Sequence, residues 1–132
     1  MRPVIVVAGI LDTKGEEVKF LASRIEAAGG TAKVMELSLG TECGWADISL
    51  SDVLREVGMT PEELFRLQRN DAADTVGAAA AKLMVREYKA ERVQGVVALG
   101  GSMGTSMGSR IMRALPTGAP KVLLTTASGS FR

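Results

Sequence analysis

The sequence contains no histidine. That removes a Ser-His-Asp triad and any imidazole general base from this chain. It has one cysteine, Cys43, so no internal disulfide can form and a zinc site would lack ligands. Only 4% of residues are aromatic, so the core has to be built from Val, Leu, Ile, Met and Ala, a set suited to buried strands covered by helices. No stretch approaches the ~20 apolar residues of a membrane span, which argues against a membrane partner. The first apolar run is too short for a secretory leader and follows a single basic residue, so a reducing cytoplasmic location is expected. Carboxylates are missing beyond Glu91, whereas Arg92, Arg110, Arg113, Lys121 and Arg132 all fall after it. This imbalance reads either as chance with solvated helix ends or as a C-terminal third that accepts an anionic ligand. The formal net charge of +1 argues against a nucleic-acid partner and against a disordered acidic tail.

What is present fits one domain, residues 1–132, long enough to bury roughly two-thirds of the unfolded chain's surface. "PVIVVAG" at 3–9 is a β-branched run closed by glycine and predicts a central buried strand. "LDTKG" follows as a loop. The spacing of Val18, Leu21, Ala22, Ile25 and Ala28 predicts a helix over 15–28, with Asp12 or Thr13 as its cap and Gly29-Gly30 as its stop. A second strand is predicted over 31–38, and 39–49 reads as irregular. Short helices follow at 50–57 and after Thr60, where Pro61 and Glu63 complete a capping box. The longest helical pattern lies within 71–93, with Val76, Ala79, Ala80, Leu83, Met84 and Glu87 on one face. A third strand at 94–99, a helix at 105–115 and a fourth strand at 120–126 complete the order. Strands separated by helices imply right-handed crossovers and a parallel sheet. The expected fold is α/β, Rossmann-like and doubly wound, with four parallel strands in the order 2-1-3-4 between two helix layers. Four strands are few for such a fold, which suggests a piece of a longer two-domain protein, with a complete small domain as the alternative.

In open parallel sheets, ligands bind beyond the carboxyl ends of the strands where the strand order reverses. The loops expected there are "GILDTKGEE" at 9–17 and "GGSMGTSMG" at 100–108, with "TTASGS" at 125–130 alongside. Glycines let backbone N–H groups approach an oxyanion, and Ser102, Thr105 and Ser106 add hydroxyls. A helix starting near Thr105 presents unsatisfied N–H groups and a positive dipole end. The alternative is a tight strand-to-helix turn whose glycines serve packing alone. Neither G-x-G-x-x-G nor G-x-x-x-x-G-K-[ST] is present, because Lys14 precedes Gly15. Lys14 reads as a mobile charge for a phosphate or as a solvated loop lysine. Asp12 reads as a helix cap, a ligand to a cation or ribose hydroxyl, or an acid-base group. Cys43, Trp45, Met103 and Met107 read as packing groups.

"GILDTKGEEVKFLASRIEAAG" together with "VVALGGSMGTSMGSRIMRALPTGAPKVLLTTASG" resembles the N-terminal domain of the tomato mosaic virus resistance protein family and its bacterial and fungal relatives. The resemblance covers essentially the whole chain. L-D-T-K-G-E-E and G-G-S-x-G-T are fairly specific as a pair and weak singly. In that family the N-terminal region is an ATP-binding domain of two Rossmann-like subdomains, followed by a domain resembling a TIM barrel. The resemblance implies that this chain is the first subdomain. It places Asp12, Thr13 and Lys14 in one binding loop, Gly100, Gly101, Ser102, Gly104 and Thr105 in a second, and Thr126, Ser128 and Gly129 in a third. Met103 departs from the family's frequent glycine and narrows that loop. The plant protein's block of a viral replication protein does not carry over.

The leading expectation is therefore an ATP-binding module of a larger protein, with ATP and Mg2+ as cofactors. Two alternatives stand beside it. One is half of an enzyme site for a small phosphorylated or carboxylated metabolite. The other is a ligand-free scaffold with an uncovered edge strand. A homo-oligomer or a second subdomain is the expected macromolecular partner. No catalytic residue and no resident metal site are assigned.

Overall fold

The computed structural model describes residues 2–126. The elements are β1 (Val4–Gly9), α1 (Leu11–Ala27), β2 (Thr31–Glu36), α2 (Leu50–Leu54) with a 3-10 turn (Arg55–Val57), α3 (Pro61–Phe65), α4 (Arg69–Lys89), β3 (Gly95–Gly100), α5 (Ser102–Ala114) and β4 (Lys121–Thr125). The four strands form one parallel sheet in the order β2-β1-β3-β4, the predicted topology.

The β-branched run places β1 in the centre, with Val6, Val7 and Ala8 fully buried. Its period of two feeds two cores. Val6 and Ala8 join the larger one with residues of α2, α4 and α5, while Val7 packs with Val34, Leu99 and Val18 of α1. One face of the sheet thus carries α1 and the other α2, α4 and α5. Right-handed crossovers require this: the chain leaves β1 toward β2 in one direction and reaches β3 in the other, so the helices change face. The switch point lies between β1 and β3.

Two helix starts differ from the sequence reading. Residues 11–14 are not a loop but the first turn of α1, whose backbone departs from helical values only at Lys14 (φ −121°, ψ 19°). The cap position is Ile10, with no side-chain cap from Asp12 or Thr13. Helix α5 begins at Ser102, one turn before Thr105, and Gly101 occupies its cap position. By contrast, α3 starts as predicted, with Thr60 and Glu63 exchanging capping-box bonds and Pro61 in the first turn. On α4, Val76, Ala79, Ala80, Leu83 and Met84 are buried, but Glu87 is only half-buried and belongs to an ion-pair cluster. The irregular segment after β2 returns to that strand's outer edge. Ile48 bridges Met35, and Asp47 Oδ2 accepts the Val34 N–H at 2.8 Å. Among the described residues, no helix is long and apolar enough to cross a membrane.

Candidate functional site at the carboxyl edge of the sheet

The topology brings the first two predicted loops to one edge of the sheet, with the described start of the third beside the second. Asp12, Thr13 and Lys14 lie on the first turn of α1, directly beyond β1. Gly100 ends β3, and Gly101, Ser102, Gly104 and Thr105 form the first turn of α5. Thr126 follows β4, and its N–H donates to the Gly100 carbonyl at 2.9 Å, fixing the third turn against the second. Ser128 and Gly129 lie outside the described residues.

The glycines do different jobs. A Cβ on Gly100 would stand 2.6 Å from Gly104 Cα, so this glycine is required by the close approach of strand end and helix start. A Cβ on Gly101 would find Thr126 Oγ1 as its nearest described neighbour, at 3.9 Å, an ordinary contact, so no described residue crowds this position. The Thr105 hydroxyl is engaged inside the turn, 3.2 Å from the Gly100 carbonyl and 2.8 Å from Thr125 Oγ1. Ser102, Ser106 and Thr126 are exposed. The Thr105 N–H closes on the Gly101 carbonyl at 2.9 Å, and no side chain caps the turn before it. Among the described residues, the leading amides and dipole end of α5 thus have no capping side chain.

The start of α1 is built differently. The Leu11 N–H donates to Ser38 Oγ at 3.3 Å, and Ser38 donates to Glu36 Oε2 at 2.7 Å. Glu36 is fully buried and also accepts the Cys43 N–H at 3.1 Å. It ends β2, opposite Gly9, where dinucleotide-binding folds place an acid for ribose hydroxyls. Here the carboxylate is spent on the chain itself, clasping the 39–46 segment over α1. Sequence reasoning passed over Glu36. The available signal was an acidic residue ending an otherwise apolar strand. Burial, with Glu36 adding to it, pushes the half-buried Cys43 thiol above its ordinary pKa, and its side chain packs against the smaller core. Trp45 lies beside Gly15, with Lys19 Nζ 4.7 Å from its ring centre. Ile10 is buried next to Gly104, between the two helix starts. Met107 is buried and Met103 packs against the same core, as expected of both.

Charge at this edge is mixed. Lys14 is the cation of the first α1 turn, its Nζ 3.9 Å from Glu17 Oε2, with Asp12 and Glu16 exposed nearby. The described basic residues of the C-terminal third are engaged elsewhere. Arg110 pairs with Asp74 of α4 at 3.6 Å, Arg113 donates to Ser109 Oγ on its own helix, Lys121 donates to the Met112 carbonyl at the far end of α5, and Arg92 precedes β3 at the opposite edge; Arg132 lies outside the described residues. Among the described residues, anion binding at this edge would therefore rest on backbone amides and Lys14. Among the described residues, no group of three or more His, Cys, Asp or Glu side chains is placed to hold a metal ion.

Comparison with known proteins adds a family. Residues 3–132 match the model of the uncharacterised protein family (UPF0261) N-terminal domain. A UPF0261 protein of Clostridium tetani is 37% identical over 135 residues, covering 100% of this chain and 33% of the relative. A UPF0261 protein of Rhizobium meliloti is 39% identical over 127 residues, covering 95% of this chain and 31% of the relative. One from Brucella suis is 35% identical over 130 residues, with 97% and 31% coverage. The chain thus spans about a third of the length of the curated relatives it matches.

Proposed function

We propose that this chain, which belongs to the UPF0261 family as its N-terminal domain, forms one wall of an ATP-binding site in a larger protein. The observation that carries the reading is the start of α5, which no described side chain caps and which is reached through Gly101, a position that no described residue crowds. It sits at the switch point of a doubly wound sheet, where such folds bind ligands. Amides and a helix dipole suit a phosphate, which needs no arginine there. ATP, rather than another phosphate, is what the resemblance to the tomato mosaic virus resistance family implies. Lys14 would supply a point charge, and Asp12, an exposed carboxylate on the first turn of α1, would be the residue to hold a Mg2+ that accompanies the nucleotide and offsets its charge. Ser102 and Thr126 would offer exposed hydroxyls to phosphate oxygens. The mixed charge fits a site completed by the remainder of the polypeptide.

Calorimetric titration of the cell's own polypeptide with ATP and Mg2+ tests this. Saturable binding is expected, weakened about tenfold or more in Gly101→Ala, a substitution with room for its Cβ. Absence of binding at millimolar ATP, or a Gly101→Ala variant that binds as the parent does, defeats the proposal.

A further inference from the structure

The two faces of the sheet are not equally covered. On the α1 side, that helix covers β1 and β2 and reaches β3 only at its margin. Beyond it, Val122 and Leu124 of β4 are 50% and 40% exposed on the same face as Val97 and Leu99, their register partners. Phe20 of α1 stands beside them, 64% exposed. Between helix and strands runs a groove of about 370 Å³ whose exposed lining is apolar, floored by Leu21, Leu99 and Leu124 and walled by Phe20 and the stems of Glu16 and Glu17. Isolated exposed apolar side chains need no explanation; a contiguous set lining one groove does.

We infer that this groove seats an amphipathic helix of the same polypeptide, drawn from the two-thirds of the protein that follows this domain in its relatives. Two observations choose that occupant. First, the relatives are about three times as long, so a tethered chain is available at high effective concentration. Second, the groove is lined by six residues, far fewer than the roughly 20–30 a side of a stable interface between separate proteins. Handedness narrows the choice. The β3-α5-β4 crossover lies on the opposite face, and a further right-handed crossover outward from β4 would place its helix there too. The covering helix is therefore one that returns across the sheet to lie beside α1. It presents an apolar stripe to Phe20 and Leu124.

Cysteines at Phe20 and at Leu124, set against an exposed control at Thr117, test this in the cell's own polypeptide, with maleimide labelling read by peptide mass spectrometry. In the native protein, Phe20→Cys and Leu124→Cys should label about tenfold or more slowly than Thr117→Cys, and equally fast in denaturant. That protection should survive about a hundredfold dilution. Hydroxyl-radical footprinting of Phe20 and Leu124 in the unsubstituted protein gives the same reading without a variant that could misfold. Labelling and oxidation at the rate of the exposed control overturn the inference. Protection lost on dilution overturns it as well and assigns the groove to a second copy of the chain.

Discussion

Gly100 and Gly101 are adjacent and chemically identical, yet the structure asks different things of them. At Gly100 a methyl group would meet Gly104 Cα at 2.6 Å, backbone against backbone, so neither side can yield cheaply. Gly100→Ala should lose about 1–3 kcal/mol of stability, the usual cost of overpacking, read as a lower urea midpoint. Gly101→Ala should leave that midpoint within about 0.5 kcal/mol while weakening ATP binding. Equal stability losses in the two variants would refute the division of roles. Glu36 makes a parallel case without a ligand. Its oxygens hold the Ser38 hydroxyl and the Cys43 amide, and Ser38 in turn receives the first amide of α1. Glu36→Ala would leave those donors buried and unpaired, at a cost of about 1–3 kcal/mol. Glu36→Gln keeps an acceptor and should lose less. Equilibrium unfolding of the two variants decides it, and an alanine variant as stable as the glutamine one removes the clasp. The glycine cluster was legible in the sequence as a candidate site. Which glycine packs and which is uncrowded was not, because that depends on atoms at Gly104 and Thr126 that local spacing does not locate.

The position of α5 is set by small residues on two sides. Against the sheet, a Cβ on Gly108 would come within 2.8 Å of Ala98 Cβ and 2.9 Å of Leu123 Cδ1. Against α4, a Cβ on Gly77 would meet Arg110 Cδ at 3.0 Å. The helix is thus held between sheet and α4 with no spare methyl, and its amino end is aimed accordingly. Gly108→Ala should lift α5 from β3 and β4, costing about 1–3 kcal/mol. It should also weaken ATP binding, although residue 108 lies nearly two turns from the first amide. Crystals of the variant should show the α5 start displaced from Gly100; an unmoved helix with unchanged affinity would sink the coupling. Element types were legible throughout, because β-branched runs, the Thr60 capping box and the alanine-rich face of α4 are local signals. The starts of α1 and α5 were not. The turn at 11–14 is polar and reads as a loop, but its first amide is satisfied by Ser38, distant in sequence and near in space. The α5 start is hidden by glycines, which favour no particular boundary.

The parallel sheet and its strand order followed from the alternation of strand and helix together with handedness, and both hold for the whole molecule. Of the basic residues after Glu91 that the structure describes, Arg92, Arg113 and Lys121 lie toward the sheet's opposite edge, where α5 ends and β4 begins. That edge has its own electrostatics. Arg92, in the turn before β3, donates through Nε to Glu87 Oε2 at 3.0 Å, with Arg86 close by and itself paired to Glu56 beside α2. Nearby, Gln94 Oε1 accepts the Val4 N–H at 2.7 Å, so this corner joins α4 to the starts of β1 and β3. The hydrogen bond from Arg92, with lesser help from Arg86, outweighs burial and holds the Glu87 carboxyl below its ordinary value of 4.5. A folded-state pKa below the unfolded one contributes stability above the unfolded value and loses it as pH falls through the folded value. Glu87→Gln should therefore be less stable than the parent at neutral pH. The gap should hold down to about pH 5, then close as acid protonates the parent's carboxyl. Urea unfolding from pH 7 to pH 3 measures it, and a gap that is flat or widens toward acid contradicts the assignment. ATP binding at pH 7 should be the same in both proteins, because the ion pairs and the proposed site lie at opposite ends of the strands.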